Sequence, residues 1–504
     1  MGSTCILGLD IGTSGCKVLA LDPAGRILGS VIEEYPLYTP LPGWSEQNSE
    51  DWWQGVVAGI KRLLPSLDGC TVCAVGLSGQ MHGMVPLDEN RKVVRNAILW
   101  NDQRTGKQCD EITELAGGLD ALLGYTNNRM LTGFTGGKIL WMKENEPENY
   151  KKTKIILNPK DYIRFRLSGE LITEVSDASG TGLFHVKERR WATELMEKIG
   201  LDISLFPRVV ESTDRAGTVS KEASDLTGIP EGTVISGGGG DAVISTTGLG
   251  LIKSGRIGIT LGTSGVVAMG LPAYMENPNG LLQVSCNNAP GTYHAMGVTL
   301  SAAGSYMWFR NALGDFEIQQ GKETGKSSYY LLDQKAKETA PGSDGLIFLP
   351  YLTGERAPIN DPSATGAFLG ITARHGKGHF ARAVMEGVAY SLKQVYDLIM
   401  SVNPGLVSDE IVLAGGGANS PIWRQIFADV FQLPVRTVFG SAEGGSFGAA
   451  LVAGVTVGVW NSLEDTVALI HPESETLPIP QNSEVYAGLY QKYTGYYDAL
   501  KWSY

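Results

Sequence analysis

The tetrapeptide Gly-Thr-Ser-Gly occurs twice, at residues 12–15 and 262–265, each time directly after an apolar, strand-like run, 6–11 and 258–261. A short Gly/Ser/Thr turn after a strand presents backbone N–H groups and hydroxyls, which are good ligands for phosphate oxygens. Two such elements half a chain apart constrain the fold to two related lobes gripping one polyphosphate. Only the first run carries a carboxylate, Asp10. The two turns are therefore unequal, which suits a nucleotide bound with a metal ion on one side.

The remaining sequence has to supply a core for each lobe. A length of 504 residues exceeds one ordinary core; the length prior gives roughly three domains, and two large ones fit as well. Many of the 65 glycines sit in clusters beside apolar runs, a pattern of tight loops in an α/β protein. A net charge of -12 argues against a nucleic-acid or anionic-membrane surface, and leaves room for a locally positive pocket. The six cysteines read as reduced and mostly buried, hence a cytoplasmic chain. Cys70 and Cys73 form a C-x-x-C without a second pair nearby, so a zinc or redox role is not expected. No apolar run approaches the ~20 residues of a membrane helix. No signal peptide is expected, and Ile6 stands where a myristoylation site beginning at Met1-Gly2 needs Ser or Thr.

Along the chain, 5–10, 17–21 and 26–31 read as a strand meander around the first turn, followed by a helix over 49–64 with Ser49 as N-cap and a strand over 71–77. A short strand, 232–236, feeds four glycines, 237–240, and then Asp241 at the start of a helix. The lobe boundary is placed between Gly250 and Gly255, giving residues 1–250 to a first lobe and 251–504 to a second. In the second lobe, 381–400 is helical and 380–390 is read as core helix whose charges need no special role. A strand over 410–414 runs into Gly415-Gly416-Gly417, a small-residue helix opens at 444, and the aromatic tail 483–500 is a helix packing against one lobe, with a return to the first lobe considered.

Asp241 is the sharpest single site. Glycines let the backbone approach a ligand, and a strand-end carboxylate in a cleft accepts a proton from a hydroxyl nucleophile. The alternative is a helix cap. Asp10, where a strand meets a phosphate turn, suits Mg²⁺, with a turn-stabilising role as the alternative. Gln80 and His82, at the end of the next strand, offer the neutral donors and acceptors that a polyol needs. Trp100, Asn101 and Asp102 add groups on that side, with a salt-bridged turn of Asp102 and Arg104 as the alternative.

These residues together resemble the FGGY carbohydrate kinases, within the sugar kinase, heat-shock ATPase and actin superfamily. The resemblance runs along nearly the whole chain and rests on two stretches, 133–145 and 366–371 followed by His379, Phe380 and 383–386. It implies an α/β fold of two ribonuclease-H-like lobes with a central cleft. It further implies sugar on the first lobe, ATP on the second, and Mg²⁺ accompanying the nucleotide. The segments 78–83, 100–102 and 177–181 resemble those of the xylulose kinase branch, which implies phosphorylation of a ketopentose, D-xylulose, with ribulose, L-xylulose, gluconate or a non-catalytic sugar sensor as alternatives. It also implies substrate contacts at Met81 and His82, the proton acceptor at Asp241, and the metal and catalytic carboxylate at Asp10. The phosphate turns fall on Gly12, Thr13, Ser14, Gly262, Thr263 and Ser264, and the nucleotide loop on Gly416, Gly417 and Asn419. Ala242 departs from the Asn common there in xylulose kinases, which leaves the sugar's identity open. The partner expected is a small sugar, with no nucleic acid and no membrane; a homodimer is compatible with the sequence.

Overall fold

The computed structural model describes residues 4–67, 69–441 and 443–503; the Met1-Gly2 start lies outside them. Two mixed sheets form the framework. The first is built from β1 (Thr4–Ile11), β2 (Gly15–Leu21) and β3 (Ile27–Glu34), an antiparallel meander, with β4 (Thr71–Gly79) added parallel to β1. Beyond β4 lie β5 (Arg215–Thr218), β6 (Val234–Ser236) and the two-residue β7 (Gly239–Gly240), in the order β5-β6-β4-β1-β2-β3 with β7 also on β4.

The second sheet repeats the plan. Strands β8 (Arg256–Leu261), β9 (Gly265–Leu271) and β11 (Tyr293–Thr299) form an antiparallel meander, with β10 (Gln283–Cys286) paired to β11 at the edge. Strand β12 (Glu410–Ala414) is parallel to β8, and β13 (Val435–Val438) and β14 (Pro472–Thr476) complete the order β10-β11-β9-β8-β12-β13-β14. In both sheets the glycine turn joins the first two strands, and a parallel strand lies on the other side of the first.

Amphipathic helix α1 (Ser49–Leu63) covers the first sheet with Trp52, Trp53, Val56 and Ile60. Its N-cap is Asn48, whose Oδ1 accepts the Glu50 N–H across 3.1 Å, and not Ser49. Both residue types cap well, so sequence alone resolves the choice only to one position. The short strand Ala97–Ile98 stops there because Leu99 N–H turns to Ser45 O and Asp102 N–H folds back to Leu99 O.

The lobes meet through helices of small residues. Helix α3 (Asp241–Gly248) packs on α7 (Gly444–Thr456), which lies across β1 and β4. A Cβ at Gly8 would stand 1.8 Å from Ser446 O, and one at Gly76 only 1.9 Å from Ala449 O. Glycine lets this helix sit on the sheet at backbone distance, closer than any side chain permits. Between these helices in the chain run α4 (Ser328–Glu338), α5 (Lys377–Ser401) and α6 (Pro421–Phe431).

The tail forms α8 (Pro480–Leu500) and packs on α5 and α6 of the second lobe, not on the first. Buried Glu386 accepts from Gly342 N–H, Ser343 Oγ, Arg382 Nε and Tyr486 Oη at 2.7–2.9 Å, and Tyr493 stacks at a tilt on Tyr390. The charges of α5 thus have a structural task the sequence did not disclose: they fasten the last helix. Helix α2 (Pro159–Ser168) brings a buried ion cluster beneath the four-glycine run. Lys160 contacts Asp161 at 2.7 Å, Asp177 at 3.0 Å and Glu174 at 3.4 Å, and Arg164 contacts Asp161 at 2.6 Å. Arg164 also donates to Gly237 O.

Candidate active site

The site assembles where β1, β4 and β7 end side by side. Asp10 pairs with Ser78 across β1–β4, and Ser78 pairs in turn with Gly239 across β4–β7. Asp10 and Asp241 therefore flank the end of one strand, with backbones roughly 10 Å apart at the usual strand spacing. Ser78 Oγ donates to Asp10 Oδ1 at 2.6 Å, and burial raises the Asp10 pKa against the opposing effects of Ser78 and Lys17.

Asp241 stands as the first residue of α3, with Gly240 as N-cap, so it is not the helix cap. Its Oδ1 accepts the Ala242 N–H at 2.7 Å, and Met81 N–H donates to it too. Burial, and then the negative charge of Asp10, push its pKa up to about 7. A helix N-terminus and two N–H donors favour the anion, but here desolvation and like charge win. The result is a carboxylate poised to gain or lose a proton near neutrality.

The first phosphate turn is held from behind. Tyr35 Oη donates to Gly12 O at 2.6 Å, and Gln47 Nε2 to Thr13 O at 2.7 Å. Gln80 is buried, donates to Gln47 Oε1 at 2.8 Å and accepts from Thr13 Oγ1 at 3.3 Å. Its two functions are spent on this turn, which makes it a positioning residue and not a sugar ligand. Trp100 Nε1 donates to Thr13 Oγ1 at 2.9 Å. Among the described residues Asn101 Oδ1 is buried without a partner, an acceptor whose burial is costly until something donates to it.

Asp102 is fully buried, and both its oxygens are engaged. Oδ2 accepts from Ser45 N–H at 2.6 Å and Arg104 Nη2 at 2.7 Å; Oδ1 accepts from Arg104 N–H and Nε at 2.9 Å. Arg104 lies over the Trp44 ring at 3.5 Å. The substrate contact expected at Asp102 is therefore corrected: the salt-bridged turn is what the chain forms, because a buried guanidinium takes every lone pair in reach.

His82 adopts φ +68°, stacks on Phe134 at 4.6 Å and has its Nδ1 against Gly180 O. Left-handed backbone is uncommon for a residue with a side chain and costs about 1–3 kcal/mol where tertiary structure imposes it. Two groups impose it. Lys138 Nζ donates to His82 O and Gly133 O, both at 2.7 Å, and Gly180 lies so close that a Cβ there would meet Met81 Cε at 2.6 Å. Lys138 is buried; desolvation brings its pKa down to about 7 and that of His82 to about 3. Neutral His82 has one donor and one acceptor. Lys138 belongs to the stretch 133–145, but its task was invisible without the tertiary contact.

On the second lobe a recess of about 530 Å³ is lined by Gly262, Thr263, Gly416, Gly417 and Asn419, with Tyr329, Tyr330 and Trp423 forming apolar walls. That volume and mixture suit a nucleoside. The second turn is anchored by Ala302 N–H to Thr263 O at 2.8 Å and Ala303 N–H to Gly262 O at 2.9 Å, and Ser264, which follows Thr263, is partly exposed. The recess brings together all three expected members of the loop, Gly416, Gly417 and Asn419. Sequence reasoning missed Asp333, which accepts from Tyr306 Oη at 3.0 Å within this wall; α4 carries no motif that marks it.

Residues 5–248 match the N-terminal domain, and 257–457 the C-terminal domain, of the FGGY family of carbohydrate kinases. The xylulose kinase of Bacillus subtilis (strain 168) is 36% identical over 98% of this chain and 97% of its own. This chain belongs to the FGGY family of carbohydrate kinases. The xylulose kinase of Lactococcus lactis subsp. lactis (strain IL1403) is 37% identical, covering 97% of this chain and 95% of that one. The crystal structure of a xylulose kinase from Brucella ovis superposes with a TM-score of 0.89 at 33% identity, covering 99% of both chains.

Membership fixes the class of chemistry for this FGGY kinase, transfer of a phosphoryl group from ATP to a carbohydrate. Among the described residues no three His, Cys, Asp or Glu side chains converge on one point, as a wholly protein-made metal site requires. One partly buried carboxylate beside a phosphate turn is the donor set with which Mg²⁺ is commonly held, the phosphates supplying the rest. Asp10 fits that description. Among the described residues no helix is long and apolar enough to cross a membrane.

Proposed function

We propose that this kinase phosphorylates a ketopentose, D-xylulose, on its terminal hydroxyl, using the end phosphate of ATP. The observation that supports it is Asp241: a carboxylate at a strand end, raised to about 7, beside Met81 and His82 and across the end of β4 from Asp10. Asp241 accepts the hydroxyl proton as the sugar oxygen bonds to the terminal phosphorus and the bond from that phosphorus to the bridging oxygen of ADP breaks. Little covalent work falls to the protein; it positions the reactants and stabilises charge. The N–H groups of Gly12 and Gly262 close their own turns, so those of Thr13, Ser14, Thr263 and Ser264 are the ones that meet the phosphates, and the recess around Gly416 and Gly417 takes the nucleoside. Asp10 would hold the Mg²⁺ that accompanies the nucleotide, an ion that supplies charge neutralisation on the transferring group. Residues 1–250 carry the sugar and 251–504 the nucleotide, and closure of one on the other excludes water as a competing acceptor. Six cysteines without a disulfide support a cytoplasmic location.

The test is a substrate panel followed by ADP release: D-xylulose, ribulose, L-xylulose and gluconate. Turnover is expected to be highest with D-xylulose. A tenfold preference for any other member would reassign the substrate, and sugar binding without product would indicate a sensor.

A further inference from the structure

A small recess lies beside the His82 loop, about 20 Å³ in volume, with first-lobe walls at His82, Gly180 and Ala242 and second-lobe walls on β10 and β11. It has room for one small polar group, since a water needs only about 10–15 Å³ by the same measure. Strand periodicity explains what the second lobe offers. Gln283 and Ser285 share one face of β10, and their register partners across the ladder are Met296 and His294 of β11. Four neighbouring side chains therefore form one patch facing the recess.

The hairpin is locked there by the first lobe. Asn128 pairs with both the N–H and the carbonyl of Val284, at 2.9 and 2.7 Å, and Ser179 Oγ accepts from Cys286 N–H at 3.1 Å. His294 is 1% exposed, yet among the described residues its Nε2 has no hydrogen-bond partner. Leaving a buried nitrogen unpaired is costly, a penalty that a ligand relieves. His294 faces the recess where Ala242 offers no polar group.

We propose that the β10–β11 hairpin completes the sugar site: His294 Nε2 bonds one hydroxyl of the substrate in this recess, at the end away from the phosphorylated carbon, with Ser285 and Gln283 beside it, and this contact sets which sugar is accepted. The proposal rests on the kinase reading above. It makes His294 a specificity-determining residue supplied by the nucleotide lobe, so sugar binding itself draws the lobes together. Burial keeps its imidazole neutral, with a pKa lowered to about 4, so the bond does not vary between pH 6 and 9.

The experiment is a cycle between variants and monodeoxy analogues of whichever panel sugar the enzyme turns over. His294→Leu is expected to raise the KM for sugar at least tenfold while the KM for ATP stays within twofold, and His294→Gln to recover part of the loss. For one deoxy analogue the wild-type enzyme should lose affinity where His294→Leu loses no more. An unchanged sugar KM in His294→Leu, or equal losses for every analogue in both enzymes, would overturn it. If His294→Leu does not fold, Ser285→Ala and His294→Gln carry the same cycle. A wild-type enzyme that rejects every ketopentose would sink the substrate reading alone, because the cycle still reports on His294 with the sugar accepted.

Discussion

Gly445 faces Asp10 so closely that a Cβ on it would lie 2.8 Å from Asp10 Oδ1 and 2.2 Å from Ser78 Oγ. Helix α7, from the second half of the chain, thereby closes over the carboxylate of the first phosphate turn. Gly445→Ala must displace Asp10 or break its 2.6 Å bond to Ser78. Turnover is expected to fall about tenfold or more, with the magnesium titration shifted to higher concentration and the far-UV spectrum unchanged. Wild-type kinetics in this variant would mean that Asp10 moves freely and holds nothing.

Asp241→Asn is expected to retain nucleotide and sugar binding and to lower kcat roughly 100-fold or more, in the range general-base removal produces. Single-turnover rates with calorimetric binding data would separate the two effects.

The same carboxylate predicts the pH profile. With a pKa raised to about 7, Asp241 is protonated and unable to accept the hydroxyl proton below that pH. In the free enzyme kcat/KM should fall tenfold per pH unit under pH 7 and level off above it. If Asp10 holds Mg²⁺ as proposed, the ion would offset the repulsion that adds to burial in lifting Asp241, and the limb should then move to lower pH as magnesium rises. Stability runs the other way. Between about pH 4, where the unfolded carboxyl ionises, and about 7, where the folded one does, the wild type loses stability as pH rises, and above about 7 the loss is complete and constant. Asp241→Asn should therefore raise Tm by about 1–3 °C at pH 8, a gain that shrinks towards pH 4.

Lys160 compensates Asp161, Glu174 and Asp177, all fully buried. Lys160→Met leaves three carboxylates against Arg164 alone, and breaking a buried pair this way costs about 3–5 kcal/mol. Urea unfolding should show that loss. Because Arg164 also anchors Gly237 O, the four-glycine run should loosen and kcat fall as well.

Gly416 lines the nucleotide recess, and a Cβ there meets nothing within 4 Å. Gly416→Ala is expected to leave Tm unchanged and to raise the KM for ATP several-fold without altering that for sugar. At Gly417 a Cβ would lie 2.8 Å from Leu261 Cβ, so Gly417→Ala should cost stability as well. Thermal melts and initial rates at varied ATP would distinguish the pair.

The duplicated turn, the strands over 71–77 and 410–414 and the two lobes were legible because strands and tight turns are written locally, as apolar runs and glycines; that each strand lies parallel beside its meander came from the structure. Asp10 and Asp241 stood out for the same reason: each is a carboxylate where a strand meets a glycine turn. Gln80 and Asp102 were misread as sugar ligands. Gln80 sits at a strand end and Asp102 in a turn; the Asp102–Arg104 pair was readable as an alternative, but nothing local tells that Thr13 and Gln47 engage Gln80 or that Ser45 completes the burial of Asp102.

What the sequence by itself determined is the pair of strand–turn elements and the acids beside them, since those depend on residues adjacent in the chain. What only the tertiary structure decided is which polar groups remain unspent: Asn101 and His294 keep an open atom, Gln80 and Asp102 do not. A side chain's hydrogen-bonding capacity is finite, and its partners lie scores of residues away, so availability is settled by packing and not by spelling.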